Sequence, residues 1–250
     1  MNKQIPERFA RLKLLLKEEG LHRLDQACVM VLGLGGVGSN CAEALARGGV
    51  GTLILIDGDT VDESNINRQA IAFTSTIGRV KADVMKEMAQ DINPDCRIFA
   101  QQLFLKTDSL ADSLSKFPRP DYAIDCIDTV TQKLAVASWC AQNNLPLISS
   151  MGAANKLDPS YLQFNFIEKT QYCPLSKVIR VECRKRGIYN LEVLYSNEIP
   201  FNVGKAAENT KAQTLGSMSY MPPIMGQMLA GKVIRRIAGL ESYKVKLKQV

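Results

Sequence analysis

From residue 27 to residue 150 the chain alternates short apolar runs with helix-like stretches, and that alternation restricts its fold more than any other feature. The expected strands are Ala27–Leu32, Thr52–Ile56, Cys96–Gln101, Tyr122–Ile127 and Leu145–Ser149, all rich in β-branched and apolar residues. Between them Ser39–Arg47, Arg79–Asp91, Ser109–Lys116 and Thr131–Gln142 read as helices. In the second of these Val84, Met88 and Ile92 point inward and Asn93-Pro94 supplies a stop. Such a series builds an α/β, doubly wound (Rossmann-like) and mainly parallel sheet, whose ligands sit beyond the carboxyl ends of the strands. A helix over the first twenty residues precedes it, with Phe9, Leu12, Leu15 and Leu16 recurring at helical spacing and Gly20 as its end.

After Asp158-Pro159 the pattern changes. Tyr161–Ile167 and Leu191–Tyr195 read as strands, Pro174–Gly187 and Pro222–Ile237 as helices, and Asn197–Gln213 as a long loop. No Gly/Ser-rich linker separates the halves, so the expectation is one domain over 1–250, with a nucleotide-binding part (1–160) and a C-terminal α+β elaboration (161–250).

Composition removes several classes. No apolar run approaches the roughly 18 residues of a spanning helix, and the charged, amphipathic N-terminus is unlike a signal peptide. A cytoplasmic protein is expected. The seven cysteines contain no C-x-x-C pair, so Cys28, Cys96 and Cys126 read as small buried thiols, not as a disulfide framework or a zinc site. The net charge of +6 is concentrated on Lys177, Arg180, Arg184, Lys185 and Arg186 and on the tail residues Lys244, Lys246 and Lys248. Those clusters are either solvated faces or contacts to a polyanion such as RNA.

The stretch VLGLGGVGSN, between the first strand and helix, contains Gly33-x-Gly35-x-x-Gly38, and Asp57 follows Gly38 by nineteen residues at a strand end. Glycines allow a tight turn against phosphate, a helix N-terminus offers free N–H groups, and the acid accepts ribose hydroxyls. NAD satisfies that set, but so does any nucleotide. The following run IDGDTVDESNINRQ adds Asp59, Asn65, Asn67 and Arg68, with Lys81 thirteen residues beyond Arg68. Cations beside phosphates suit an enzyme that expels pyrophosphate better than one that moves a hydride. Asp128, past the YAIDCI strand, is placed to hold Mg²⁺ beside the same phosphates, with Thr129 adjacent. No G-x-x-x-x-G-K-[ST] is present, so this is not a P-loop.

GLGGVGS, LIDGDTVDESNINRQ, GRVK, INPDCR and DCIDT resemble the adenylating enzymes related to ubiquitin activators (ThiF/MoeB-type) over residues 8 to 150. The resemblance implies ATP and Mg²⁺ as ligands. Gly36 approaches the phosphates, Asp57 holds the ribose, Asn65 and Arg68 reach the triphosphate, Lys81 neutralises it and Asp128 serves the metal. RFAR is similar to a segment that lends an arginine across a homodimer, which makes Arg11 a candidate finger for the neighbouring subunit; the alternative is a solvated helix residue.

In the second half SMGAANK, Asp158-Pro159, EKTQYCPLSKVIRVECRKRGI, VLYSNEIP and GSMSYMPPIMGQMLAG resemble the tRNA threonylcarbamoyladenosine dehydratases. That resemblance implies adenylation of the carboxylate on adenosine 37 of tRNA, then ring closure by a nitrogen of the same side chain. It also implies that the C-terminal elaboration faces tRNA through Lys177, Arg180 and Arg184. Cys173 stands where some relatives carry an acid, and a sulfur-transfer protein is a possible partner. Three alternatives remain: an activator of a ubiquitin-like sulfur carrier, an NAD oxidoreductase, and a non-catalytic tRNA-binding module.

Overall fold

A computed structural model describes residues 5–204, 215–242 and 248–249. In chain order its regular elements are α1 (Ala10–Gln26), β1 (Cys28–Leu32), α2 (Gly38–Arg47), β2 (Thr52–Asp57), α3 (Lys81–Ile92), β3 (Arg97–Gln102), α4 (Leu110–Leu114) and β4 (Tyr122–Asp125). Then come α5 (Val130–Gln142), β5 (Leu147–Ser150), β6 (Leu162–Phe166), α6 (Pro174–Lys185), β7 (Ile188–Tyr189), β8 (Glu192–Ser196), α7 (Met221–Ile237) and β9 (Lys248–Gln249). Lys244 and Lys246 of the tail and much of the Asn197–Gln213 loop lie outside the described residues.

The main sheet has the order β3-β2-β1-β4-β5-β8-β6. All its pairs are parallel except β6 with β8. β1 and β2 are buried along their whole length, as continuous apolar runs in the middle of a parallel sheet must be. Successive side chains serve opposite faces. Val29, Val31, Leu53 and Leu55 enter the core formed with α1, α2, α3 and α7. Met30, Leu32, Ile54 and Ile56 enter the core beneath α4, α5 and α6. The order reverses between β1 and β4, and the crevice beyond their carboxyl ends is the usual ligand position in such sheets.

The segment after residue 160 completes this sheet. β8 lies beside β5 and β6 closes the edge. α7, opened by Pro222-Pro223, covers α2. Arg236 fastens it: Nη1 and Nη2 donate to the Glu192 carboxylate at 2.6 and 2.9 Å, and Nη1 also donates to the Tyr122 hydroxyl at 2.6 Å.

The N-terminal helix departs from expectation. Gly20 does not end it, because the residue is buried against Leu16 and Ala238 and α1 runs on to Gln26. The break falls at Lys17, whose φ of 61° lies in the left-handed region. Leu15 does not face inward: it is 74% exposed, beside Leu14 at 73%, while Phe9 and Leu16 are buried. In α3 the buried face is Ala82, Val84, Met85 and Ala89, with Met88 and Ile92 only partly covered.

Candidate active site

The loops that leave β1, β2 and β4 meet at the switch point, and every nucleotide candidate lies on them or on the first residues of the helices that follow. Gly33 has φ +85°, and its N–H donates to the Ile56 carbonyl at 2.8 Å. A Cβ on Gly38 would fall 1.7 Å from the Gly33 carbonyl oxygen, so only glycine closes this turn. The N–H groups of Gly35 and Gly36 have no acceptor among the described residues and flank the start of α2, an arrangement suited to an anion.

Ser39 and Asn40 hold the loop in shape. The Ser39 hydroxyl donates to the Gly35 carbonyl at 2.7 Å and accepts from the Ala70 N–H at 3.0 Å. Asn40 Nδ2 donates to the carbonyls of Gly36 (2.8 Å) and Arg68 (3.1 Å). The glycine loop and the Arg68 segment are therefore one unit. The stem of Arg68 lies along Gly36, 3.1 Å from where a Cβ there would be. Its Nη1 donates to the Ser64 carbonyl (3.0 Å) and to Asn67 Oδ1 (2.8 Å).

Asp57 accepts from the Leu34 N–H at 2.5 Å and the Asp59 N–H at 2.8 Å. Burial raises its carboxyl above the ordinary value, while those two N–H groups and the Lys81 charge pull it back. Lys81, buried at the start of α3, places Nζ 3.1 Å from the exposed Asp59 carboxylate. Asn65 is buried and accepts from the Asp62 N–H at 3.2 Å, which fixes the turn that leads to Arg68. Asp128 is exposed three residues beyond β4, and Thr129 donates its hydroxyl to it at 3.3 Å.

Arg11 is not brought to this crevice. Its neighbour Arg8 pairs with Asp95 at 3.1 Å and Phe9 packs on Gly49, both at the amino ends of the strands. Of the basic residues on α6, Lys177 and Arg184 are exposed without an ion pair among the described residues. Arg180 turns back, donating to the carbonyl and hydroxyl of Thr170, each at 2.8 Å.

Sequence reasoning missed the buried charges. Lys133 Nζ lies 2.9 Å from Asp125 Oδ2, with the side chains 2% and 1% exposed. Asp125 also accepts from the Ser149 hydroxyl (2.6 Å) and the Ile127 N–H (3.0 Å), and Lys133 donates to the Ile127 carbonyl at 2.7 Å. This knot sets the loop that carries Asp128. A lysine inside the otherwise uncharged α5, eight residues after a strand-end aspartate, is the signal that was available. Gln69 was missed as well. Its Nε2 lies 3.9 Å from the Cβ position of Gly35, and its buried Oε1 has no partner among the described residues. The third is Lys156, fully buried, whose burial lowers its pKa; it donates to the carbonyls of Glu198 and Tyr172.

All seven cysteines are unbonded. Burial pushes Cys28 up to about 11 and Cys96 and Cys183 to about 12, so these thiols are poor sources of thiolate.

The ThiF family model matches residues 8–250. The tRNA threonylcarbamoyladenosine dehydratase of Bacillus subtilis (strain 168) is 40% identical over 237 residues, covering 90% of this chain and 92% of that protein. A crystal structure of the E. coli tRNA N6-threonylcarbamoyladenosine dehydratase in complex with ATP superposes with a TM-score of 0.83 at 31% identity, covering 94% of this chain and 97% of that one. The sulfur carrier protein ThiS adenylyltransferase of E. coli (strain K12) is 35% identical over a shorter stretch, 60% of this chain and 59% of that protein. The chain belongs to the ThiF family, and within it to the tRNA threonylcarbamoyladenosine dehydratases.

Proposed function

We propose that this chain is an ATP-dependent dehydratase that adenylates the carboxylate of threonylcarbamoyladenosine 37 in tRNA and closes it into a ring. The observation that carries this reading is the convergence, at one end of the sheet, of an anion-ready glycine loop, the Asp57 acceptor, and the cations Arg68 and Lys81. Kinship over nearly the whole chain, beyond the part shared with the carrier-protein activator, favours tRNA as substrate.

Asp57 receives the ribose hydroxyls, and the N–H groups of Gly35 and Gly36 receive phosphate oxygens. A carboxylate oxygen of the tRNA side chain attacks the α-phosphorus, and the bond to pyrophosphate breaks. Arg68 and Lys81 face the charge that grows on the leaving oxygens, where fixed cations contribute most. A nitrogen of the same side chain then attacks the acyl carbon, loses its proton and expels AMP, which carries away the former carboxylate oxygen. That step is intramolecular, with an effective molarity of about 10⁵–10⁸ M. It needs no thioester cysteine.

The donors present also fit Mg²⁺. Asp128, exposed just beyond β4 on the nucleotide side of the sheet, is the carboxylate that would hold the ion. When bound it supplies charge neutralisation at the triphosphate.

The working unit in this reading is a homodimer in the cytoplasm, and a sulfur-transfer protein is a possible partner. Arg11 lies at the far end of its own sheet, and in this reading it serves a neighbouring subunit's site rather than standing as a solvated helix residue. The exposed pair Leu14 and Leu15 on the same helix offers apolar surface for that contact. No described helix is long and apolar enough to cross a membrane. In the C-terminal elaboration Lys177 and Arg184 face tRNA, with Arg180 bracing them.

The test mixes the protein with ATP, Mg²⁺ and tRNA bearing threonylcarbamoyladenosine, digests to nucleosides and measures mass. Loss of one water only when ATP is present supports the reading. An unchanged nucleoside, with AMP instead joined to a Gly-Gly carrier terminus, would transfer the chain to the carrier-activating class.

A further inference from the structure

Tyr172 stands out among the exposed aromatic residues because its position is costly to keep. It is 58% exposed, yet its φ is +53°, a left-handed conformation that a bulky residue rarely holds without a reason. If the turn served only to connect elements, glycine would do it without strain. The turn is held from beneath instead. The buried Lys156 donates to the Tyr172 carbonyl at 3.4 Å and, through the same ammonium, to the Glu198 carbonyl. The next residue, Cys173, is the N-cap of α6, with Lys177 a turn along the helix and Arg184 two turns further.

The turn also sits on the active-site side of the sheet. Cys173 Sγ lies 3.8 Å from the Cβ position of Gly152, just past the carboxyl end of β5. Lys156 follows Asn155, which exchanges hydrogen bonds with Gly216: N–H to carbonyl at 2.9 Å and Oδ1 from N–H at 2.7 Å. Ser217, next along, accepts from Asn67 Nδ2 at 3.0 Å, and Asn67 holds Arg68. A chain of hydrogen bonds and adjacent residues therefore connects the Tyr172 turn to the pyrophosphate end of the nucleotide site.

We propose that Tyr172 is a stacking platform for a single-stranded base of the RNA substrate, with Lys177 and Arg184 holding the flanking phosphates. This rests on the tRNA reading above. Single-stranded loops are recognised by unstacked bases laid on aromatic rings, with cations along the backbone. An exposed ring held in a strained turn at the head of a basic helix supplies both parts. Tyr172 is a positioning residue: it orients the loop so that the modified side chain reaches the bound nucleotide.

The experiment titrates the full chain with a synthetic anticodon stem-loop RNA carrying threonylcarbamoyladenosine, by fluorescence anisotropy at several salt concentrations. Tyr172→Phe keeps the ring and should bind within about 2-fold of the native chain. Tyr172→Asn tolerates the left-handed turn but lacks the ring, and should bind about 10-fold more weakly, inside the range for one base–aromatic stack. Its dependence of log K on log salt should be unchanged, and so should its affinity for ATP. Lys177→Ala with Arg184→Ala should instead lower that slope by about 1.4, from 0.7 per cation on a single strand. Native-like binding by Tyr172→Asn would overturn the proposal, as would loss of ATP affinity in that variant, which would make the turn merely structural. A native chain that does not bind the stem-loop would overturn the tRNA reading itself, and this inference with it.

Discussion

Replacing Lys133 by methionine should destabilise the chain far more than removal of a lysine ordinarily does. The Asp125 carboxylate would remain 1% exposed with its counter-charge gone, keeping only the Ser149 hydroxyl and the Ile127 N–H. Breaking one side of a buried pair costs about 3–5 kcal/mol, because the other charge is left without compensation. The Ile127 carbonyl also loses its 2.7 Å donor, about another 1 kcal/mol. For a chain of this length each kcal/mol moves Tm by about 2–4 °C, so a fall of about 8 to 24 °C is expected. Adding Asp125→Asn removes the stranded charge and should recover at least about 2 kcal/mol, a coupling that a double-mutant cycle reads directly. Urea unfolding followed by far-ultraviolet circular dichroism measures all four species, with exposed Lys116→Met as a control expected within about 0.5 kcal/mol. ATP affinity should fall with Lys133→Met, since the knot sets the loop bearing Asp128. A loss below about 1 kcal/mol, or a double variant no more stable than the single, would refute a tightly held pair.

Arg68→Ala and Lys81→Ala should each lower kcat for AMP release by about 10²–10³ while leaving the fold intact, because Asp59 is solvated once Lys81 is gone. Activity within 10-fold of native for both would remove their roles. Arg11→Ala and Lys81→Ala chains, inactive separately, should regain part of the activity when mixed and re-equilibrated, since one site in a mixed dimer has its own Lys81 and a partner's Arg11; no recovery would contradict a shared site. Adenosine, which has no phosphate charge, should bind more weakly as pH falls. Asp57 has a raised folded pKa, so it takes up its proton above the ordinary carboxylate value of 3.8 and then accepts ribose hydroxyls poorly. By the same sign, its contribution to stability is full below 3.8 and shrinks as pH rises through the folded value, because the folded chain binds that proton more tightly. Affinity that is flat from pH 7 to pH 4 would show Asp57 away from the ribose.

What the sequence made legible follows from which interactions are local. The runs that became β1 and β2 are apolar throughout because both faces of a central parallel strand are covered, so their positions read to within a residue or two. Gly33 and Gly38 read as a phosphate turn because their need for glycine lies within one loop. Distant partners leave no such mark. Gly20 looks like a helix end until Ala238, more than two hundred residues away, is packed against it. β8 and β6 read as strands, but nothing local says that they extend the nucleotide-binding sheet. Charged residues default to the surface in a one-dimensional reading, which is why Lys133, Lys156 and Arg236 went unnoticed. Arg180 shows the reverse case: its place on a basic helix face suggested RNA, while Thr170, ten residues earlier, holds its guanidinium.

Transfer of AMP to the substrate carboxylate is the step on which the account depends, and oxygen labelling tests it most directly. The threonylcarbamoyl carboxylate of the tRNA is prepared with ¹⁸O, turned over with ATP, and the released nucleotide and phosphates are analysed by mass. AMP carrying one ¹⁸O, with unlabelled pyrophosphate, is the predicted result. Label in inorganic phosphate with ADP as co-product, or unlabelled AMP beside a cyclised nucleoside, would contradict adenylation as the way this site activates its substrate.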